Sequence, residues 1–393
     1  MVAPKLSQVI QSHENNFTWL RLVLSASVIY YHAFGLTFQA GYVDHLTQWL
    51  QPVTTVGGLA VQAFFFLSGL FVTQSYFQDP RFWSFAVKRT LRIWPGLFVC
   101  LALTTLIAVL VSRGKDDFQY FLFTDIYKYI LQTSVFEFKW TVSGIYKDNP
   151  SQVLNGPLHT LPLEAKMYVL LGLTGLIGMI RSARRVTLAA GLLGAMCFIP
   201  GTLDTLPLHL FNADYARAAI CMFLAGMGTY GLANRITIRV WQGVALGLSC
   251  WVTQDNWHSF FFYATVCWVL LYLGQTALPW LGRPKQDLSY GIYIYGWPSQ
   301  QITMALSPSL NPYELTFAAL ALATLFSFFS WRFIEKPAIQ LGKEISRSSR
   351  FWAKPVQISV PSRRLFRILA SMLVLTMSMM LVCLIALKYR ILA

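Results

Sequence analysis

The chain has 393 residues, of which 55% are hydrophobic and only 12% charged, with a formal net charge of +15. A soluble globular protein carries about twice that charged share. Composition therefore excludes an ordinary soluble enzyme, a disordered chain and a nucleic-acid-binding domain, and leaves a polytopic membrane protein. The residues before Trp19 lack an apolar stretch followed by a cleavage site, so the first apolar run is expected to be a retained helix.

A membrane-crossing helix needs about 20 mostly apolar residues. Eleven segments qualify, at 19–38, 55–77, 93–111, 160–180, 186–203, 216–233, 240–254, 259–280, 288–306, 313–333 and 367–387. Open sheet edges do not survive in lipid, and the pattern lacks the alternation of a membrane barrel. The expected fold is all-α, a transmembrane helical bundle of about ten core helices plus one C-terminal helix. With the N-terminus inside, 21 of the 31 Lys and Arg fall in inside segments, and five fall outside, all in the loop 112–158. The basic excess is thus topological and requires no nucleic acid. That loop is rich in aromatic residues, which suit either carbohydrate faces or a membrane interface.

Six cysteines, Cys100, Cys197, Cys221, Cys250, Cys267 and Cys383, lie in apolar runs without a CxxC pair. They are expected to be buried thiols, with neither disulfide nor metal site.

Ionisable groups inside a span are costly and point to function. The first span holds Arg21 and His32, eleven residues apart. That is about three helical turns, so both project from one face, roughly 16 Å apart along the axis. His32 is the histidine lying well inside a span. It fits either an acid/base group or a hydrogen-bonded structural residue, and Arg21 fits either a functional cation or a snorkelling one. Further along, NGPLHTLPLEAKMY carries His159 in a proline-framed turn and Glu164 in the first turn of the following helix. FFFLSG at 64–69 includes Ser68, and KRTLRIWP at 88–95 clusters Lys88, Arg89 and Arg92 at the inner exit of the second span. This cluster suits phosphate binding or simple anchoring. SYGIYIYGWP at 289–298 packs Tyr290 and other tyrosines around a span with a kinking Pro298. WRFIEKP at 331–337 reads as the charged end of a span at the cytoplasmic surface.

Taken together, these segments resemble the acyltransferase-3 family of integral membrane O-acyltransferases, which modify bacterial surface and secreted polysaccharides. The resemblance rests on Arg21 and His32, FFFLSG, Arg89-x-x-Arg92, GPLHTLPLEAKMY, SYGIYIYGWP and FIEKP, in the family's order. It implies a domain over 1–337, followed by a basic linker at 338–366 and an extra helix and tail at 367–393. It also implies transfer of an acyl group, acetyl by default, from acyl-CoA to a sugar hydroxyl, with no permanently bound cofactor. His32 takes the family's catalytic histidine position, Arg21 that of the first-helix arginine, and Arg89 and Arg92 that of the donor-binding pair. Glu164 is a second catalytic candidate; Ser68, His159 and Tyr290 are supporting ones. The sequence departs from the family in having His159 where Trp is frequent and Gly296 where His is frequent. The expected location is the bacterial cytoplasmic membrane, and the expected partners are acyl-CoA, a carbohydrate acceptor and the bilayer. A transporter or flippase for a polar solute is the alternative, since it too would use intramembrane Arg, His and Glu. A sensor or scaffold would leave those groups without purpose.

Overall fold

A computed structural model of the protein describes residues 4–12, 15–37, 43–112, 122–198, 214–276, 282, 284 and 286–348. Among these the chain is all-helical, and no strand is formed beyond a single bridge between Lys5 and Thr237. The helices are α1 (Leu6–Gln11), α2 (Phe17–Leu36), α3 (His45–Leu50), α4 (Val56–Gln78), α5 (Phe82–Val111), α6 (Leu122–Ser134), α7 (Leu161–Leu176) and α8 (Ala183–Met196). They continue with α9 (Asp214–Leu232), α10 (Val240–Val252), α11 (Asp255–Gln275), α12 (Ser289–Leu306), α13 (Pro312–Ser330) and α14 (Lys336–Arg347). Each of the first ten expected spans coincides with one of these helices. Residues 349–393, which include the expected eleventh helix and most of the expected linker, lie outside the described residues. So do Arg113 and Lys115.

Among the described residues, four helices are long and apolar enough to cross a membrane: α4, α5, α11 and the continuous run Pro312–Arg347. α9 and α10 are shorter apolar helices.

Three expectations are corrected. α5 starts at Phe82, eleven residues before the expected span, so Lys88, Arg89 and Arg92 belong to the same continuous helix as that span. The expected loop 112–158 contains α6, whose sequence LFTDIYKYILQTS is too polar to span but has helical apolar periodicity. Its Tyr129 is buried while Tyr127 is exposed. WRFIEKP does not end a helix. It forms a π-helical turn over Trp331–Glu335, in which the Lys336 N–H donates to the Trp331 carbonyl, and the helix continues as α14.

The described chain divides into two compact units. The first comprises residues up to Ser27, His45–Phe82 and Pro162–Asp287. Its core is α4 against α9. The two backbones meet at Gly69 and Gly226, where a Cβ would lie 2.0 Å from the Phe223 carbonyl oxygen and 2.1 Å from that of Phe66. Only glycine admits such an approach, the small-residue packing that membrane helices favour. α8 packs on α9, and α10 on α11.

The second unit comprises Val28–Asp44, Trp83–Leu161 and the chain from Leu288 onward. α12 is its buried centre and packs along α13. Burial of so polar a helix demands partners. Tyr290 donates to the Ile93 carbonyl at 2.7 Å, Tyr293 to that of Pro157 at 2.6 Å and Gln300 to that of Ile29 at 2.7 Å. Gln301 donates to the carbonyls of Ser151 and Val153, and Ser327 of α13 donates back to that of Leu288. α14 lies along the first turns of α5, with Gly342 beside Leu91 and Lys88 and the Ser346 hydroxyl donating to the Ser84 carbonyl at 3.4 Å.

Candidate active site

The sequence-selected residues gather into three clusters. In the second unit, the His32 imidazole meets the Trp297 ring edge-on, with centroids 5.1 Å apart, and also contacts Tyr31. Trp297 is fixed by its indole N–H, which donates to the Val153 carbonyl at 2.8 Å. Among the described residues, neither imidazole nitrogen of His32 is engaged in a hydrogen bond. His32 is therefore held by ring packing.

His159 lies close enough to interact electrostatically with His32. It sits in the short 3₁₀ turn Pro157–Thr160. Its Nδ1 lies 2.9 Å from the Gly156 carbonyl oxygen. A carbonyl only accepts, so Nδ1 carries the proton and Nε2 of the neutral ring is the basic atom. Trp140, 6.5 Å from the His159 ring and stacked on Phe138, brings an exposed aromatic surface to this cluster.

A Cβ at Gly296 would lie 2.7 Å from Ile29 Cγ1, so any larger residue there would require the Ile29 side chain to shift.

In the first unit, Glu164 opens α7, and its Oε1 accepts hydrogen bonds from Tyr168, one turn on, and from Ser68 of α4 at 3.4 Å. Ser68 and Tyr168 are themselves 3.0 Å apart. Three side chains from two helices thus close a ring around one carboxylate oxygen. Arg21, also in this unit, pairs with Asp287 at 3.1 Å and lies over the Phe71 ring.

The third cluster, again in the second unit, is cationic. Arg92 reaches Oε2 of Glu335 at 3.4 Å and is flanked by the rings of Tyr290 and Trp331. Arg89 lies over Phe85, and Lys88 is one turn earlier than Arg92 on the same helix.

The profile of the acyltransferase-3 family, described as an acyltransferase domain, matches residues 14–332. The chain belongs to the acyltransferase-3 family. An O-acetyl transferase of Shigella phage Sf6 is 26% identical over 340 residues, covering 82% of this chain and 96% of the relative. Nodulation protein 10 of Rhizobium leguminosarum bv. viciae is 30% identical over 369 residues, covering 84% and 94%. No solved structure matches the chain. The protein is an acyltransferase, and its apolar helices make this acyltransferase-3 chain an integral membrane protein.

Four residues of these clusters escape the sequence reading: Tyr168, Trp297, Asp287 and Glu335. Tyr168 carries a signal in its i,i+4 spacing from Glu164, which places both on one helical face. Glu335 carries none, because in WRFIEKP it stands beside Lys336 and reads as part of a surface charge cluster. Trp297 and Asp287 carry none that distinguishes them from interface residues.

Proposed function

We propose that this acyltransferase moves an acetyl group from cytoplasmic acyl-CoA to a sugar hydroxyl of a surface or secreted polysaccharide, or of its lipid-linked precursor. The observation that carries this reading is His32, packed edge-on against Trp297, in a chain of O-acyltransferase ancestry. The thioester is already activated, so the enzyme needs a base for the acceptor and stabilisation of the oxyanion. His32 takes the hydroxyl proton as the acceptor oxygen bonds to the thioester carbonyl carbon. The tetrahedral oxyanion then collapses, the carbon–sulfur bond breaks, and the imidazolium returns the proton to the departing CoA sulfur. Glu164, its Oε1 held by Ser68 and Tyr168 in the first unit, is the second catalytic candidate. His159 supports the same unit as His32. Arg89, Arg92 and Lys88 bind the CoA phosphates, with Tyr290 fixing the Arg92 plane. Arg21 adds positive charge near the inner end of α2. The orientation has the N-terminus in the cytoplasm of a bacterium, across its inner membrane, as the distribution of Lys and Arg favours.

The test uses purified full-length protein, labelled acetyl-CoA and saccharide from the source cell. General-base assistance is worth about 10²–10⁴ in rate. His32→Ala and His32→Gln should lose at least about a hundredfold in kcat while coenzyme A still binds. A variant that keeps more than about a tenth of wild-type kcat places the base elsewhere. Mass analysis of surface polysaccharide from cells with and without the gene identifies the acceptor.

A further inference from the structure

The mechanism above makes no use of a carboxylate that is among the most deeply buried charged groups described. Glu335 is 1% exposed. A buried carboxylate is costly unless its oxygens are paired, and its two oxygens have different partners. Oε1 receives the Ser330 hydroxyl at 3.0 Å, which ties the carboxylate to its own helix. Oε2 faces the Arg92 guanidinium at 3.4 Å.

The surroundings are built to accept this arrangement. Glu335 closes the π turn, and the widened turn carries both its carboxylate and the Trp331 ring onto Arg92. Such turns recur at functional sites. On the facing helix, one turn past Arg92, residue 96 is glycine, and a Cβ there would lie 3.2 Å from Glu335 Cγ and 3.0 Å from the Tyr290 ring. The ring of Tyr290 is itself pinned by its hydroxyl on the Ile93 carbonyl. The guanidinium centre lies 5.4 Å from the Tyr290 ring and 5.7 Å from that of Trp331. A carboxylate therefore sets its direction, and two aromatic faces set its plane. The Arg92 side chain is 25% exposed where Glu335 is not, so the ion pair is accessible from the arginine side.

We propose that Glu335 is a positioning residue that aims the Arg92 guanidinium at the phosphates of the acyl-CoA donor. This rests on the donor-binding role proposed for Arg92. Pre-setting a long, flexible cation removes the ordering cost that binding would otherwise meet. The carboxylate touches neither the thioester nor the acceptor, so its effect falls on donor affinity and leaves the chemical step alone.

The test is a double-mutant cycle on full-length, detergent-purified protein, with coenzyme A titrated calorimetrically and acetyl-CoA kinetics measured alongside. Glu335→Gln should weaken coenzyme A binding and raise the KM for acetyl-CoA about tenfold, with kcat at saturating donor nearly unchanged. Arg92→Ala should weaken binding at least as much, and the double variant should be no weaker than Arg92→Ala alone. Glu335→Asp keeps the charge but withdraws it by one methylene. It should show a smaller loss of affinity, and it carries the test if Glu335→Gln does not fold. If Arg92→Ala weakens donor binding while Glu335→Gln and Glu335→Asp do not, the positioning role fails and the donor-binding reading stands. If the two losses add in the double variant, Glu335 acts through another group and the proposal is overturned. If Arg92→Ala leaves donor affinity unchanged, the donor-binding reading itself fails, and the positioning role with it.

Discussion

The Tyr168 hydroxyl donates to the carboxylate of Glu164, one helical turn before it on α7, and Ser68 of α4 donates to the same oxygen. Charge-assisted bonds of this kind are roughly twice as strong as neutral ones. Two of them on Oε1 fix the rotation of the carboxyl group. Tyr168→Phe removes one donor and little volume. It should lower kcat about tenfold, an amount matching one hydrogen bond to a charged group, with the melting temperature of the purified protein nearly unchanged. Ser68→Ala should cost less, because its bond is longer. Full activity in Tyr168→Phe would show that Glu164 needs no such restraint.

The contact of Gly69 and Gly226 makes a sharper structural prediction. A methyl group at Gly226 would lie 2.1 Å from the Phe66 carbonyl oxygen, and backbone cannot yield as a side-chain tip can. Gly226→Ala should destabilise the first unit by about 1–3 kcal/mol, the range for overpacked interiors. By contrast, a methyl at Gly191 would meet no atom within 4 Å, so Gly191→Ala should leave stability unchanged or slightly raised. Thermal unfolding of the two variants in the same detergent separates these outcomes.

Arg21 and Asp287 are both partly exposed, at 27% and 21% of their side chains. Their pair thus lies between a surface bridge and a buried one. Asp287→Asn should cost about 1–2 kcal/mol. Activity lost in Asp287→Asn should not fall further when Arg21→Ala is added, if the carboxylate serves to hold that arginine. Steady-state kinetics of the three proteins report this directly.

Among the described residues, α14 packs on α5 as far as Ser346, and the family match ends at residue 332. Truncation after Ser348 should keep membrane insertion and acyl transfer. Truncation after Glu335 removes α14 from the first turns of α5 and should abolish both stable folding and activity. Size-exclusion profiles and transfer assays of the two truncated proteins provide the check.

How far the sequence reveals this site depends on what kind of feature is being read. Arg21 and His32 stand out because an ionisable group in an apolar run is conspicuous, and helix periodicity alone fixes their common face. The ten helices matching the expected spans are legible for the same reason: long apolar runs of helical length stand out in a sequence. α6 is not, because an amphipathic helix of this length falls below the hydropathy of a span. Glu335 is read as a surface charge because the helix is expected to stop near residue 333. What carries it inward is a π turn, a backbone event with no signature in WRFIEKP. The Glu164 ring is half legible: spacing puts Tyr168 beside it, but only tertiary packing brings Ser68 from another helix.

The polar character of α12 has a consequence for how this chain enters the bilayer. α12 is not among the four helices long and apolar enough to cross by themselves, yet most of its residues from Ser289 to Met304 are buried. The hydrogen bonds that make it tolerable come from Ile29, Ile93, Val153, Pro157 and Ser327, residues distant in the chain. A translocon testing α12 alone would meet tyrosine hydroxyls and glutamine amides with nothing to satisfy them. Its insertion is therefore expected to depend on partners that tertiary packing supplies, which couples partitioning into lipid to folding for this helix.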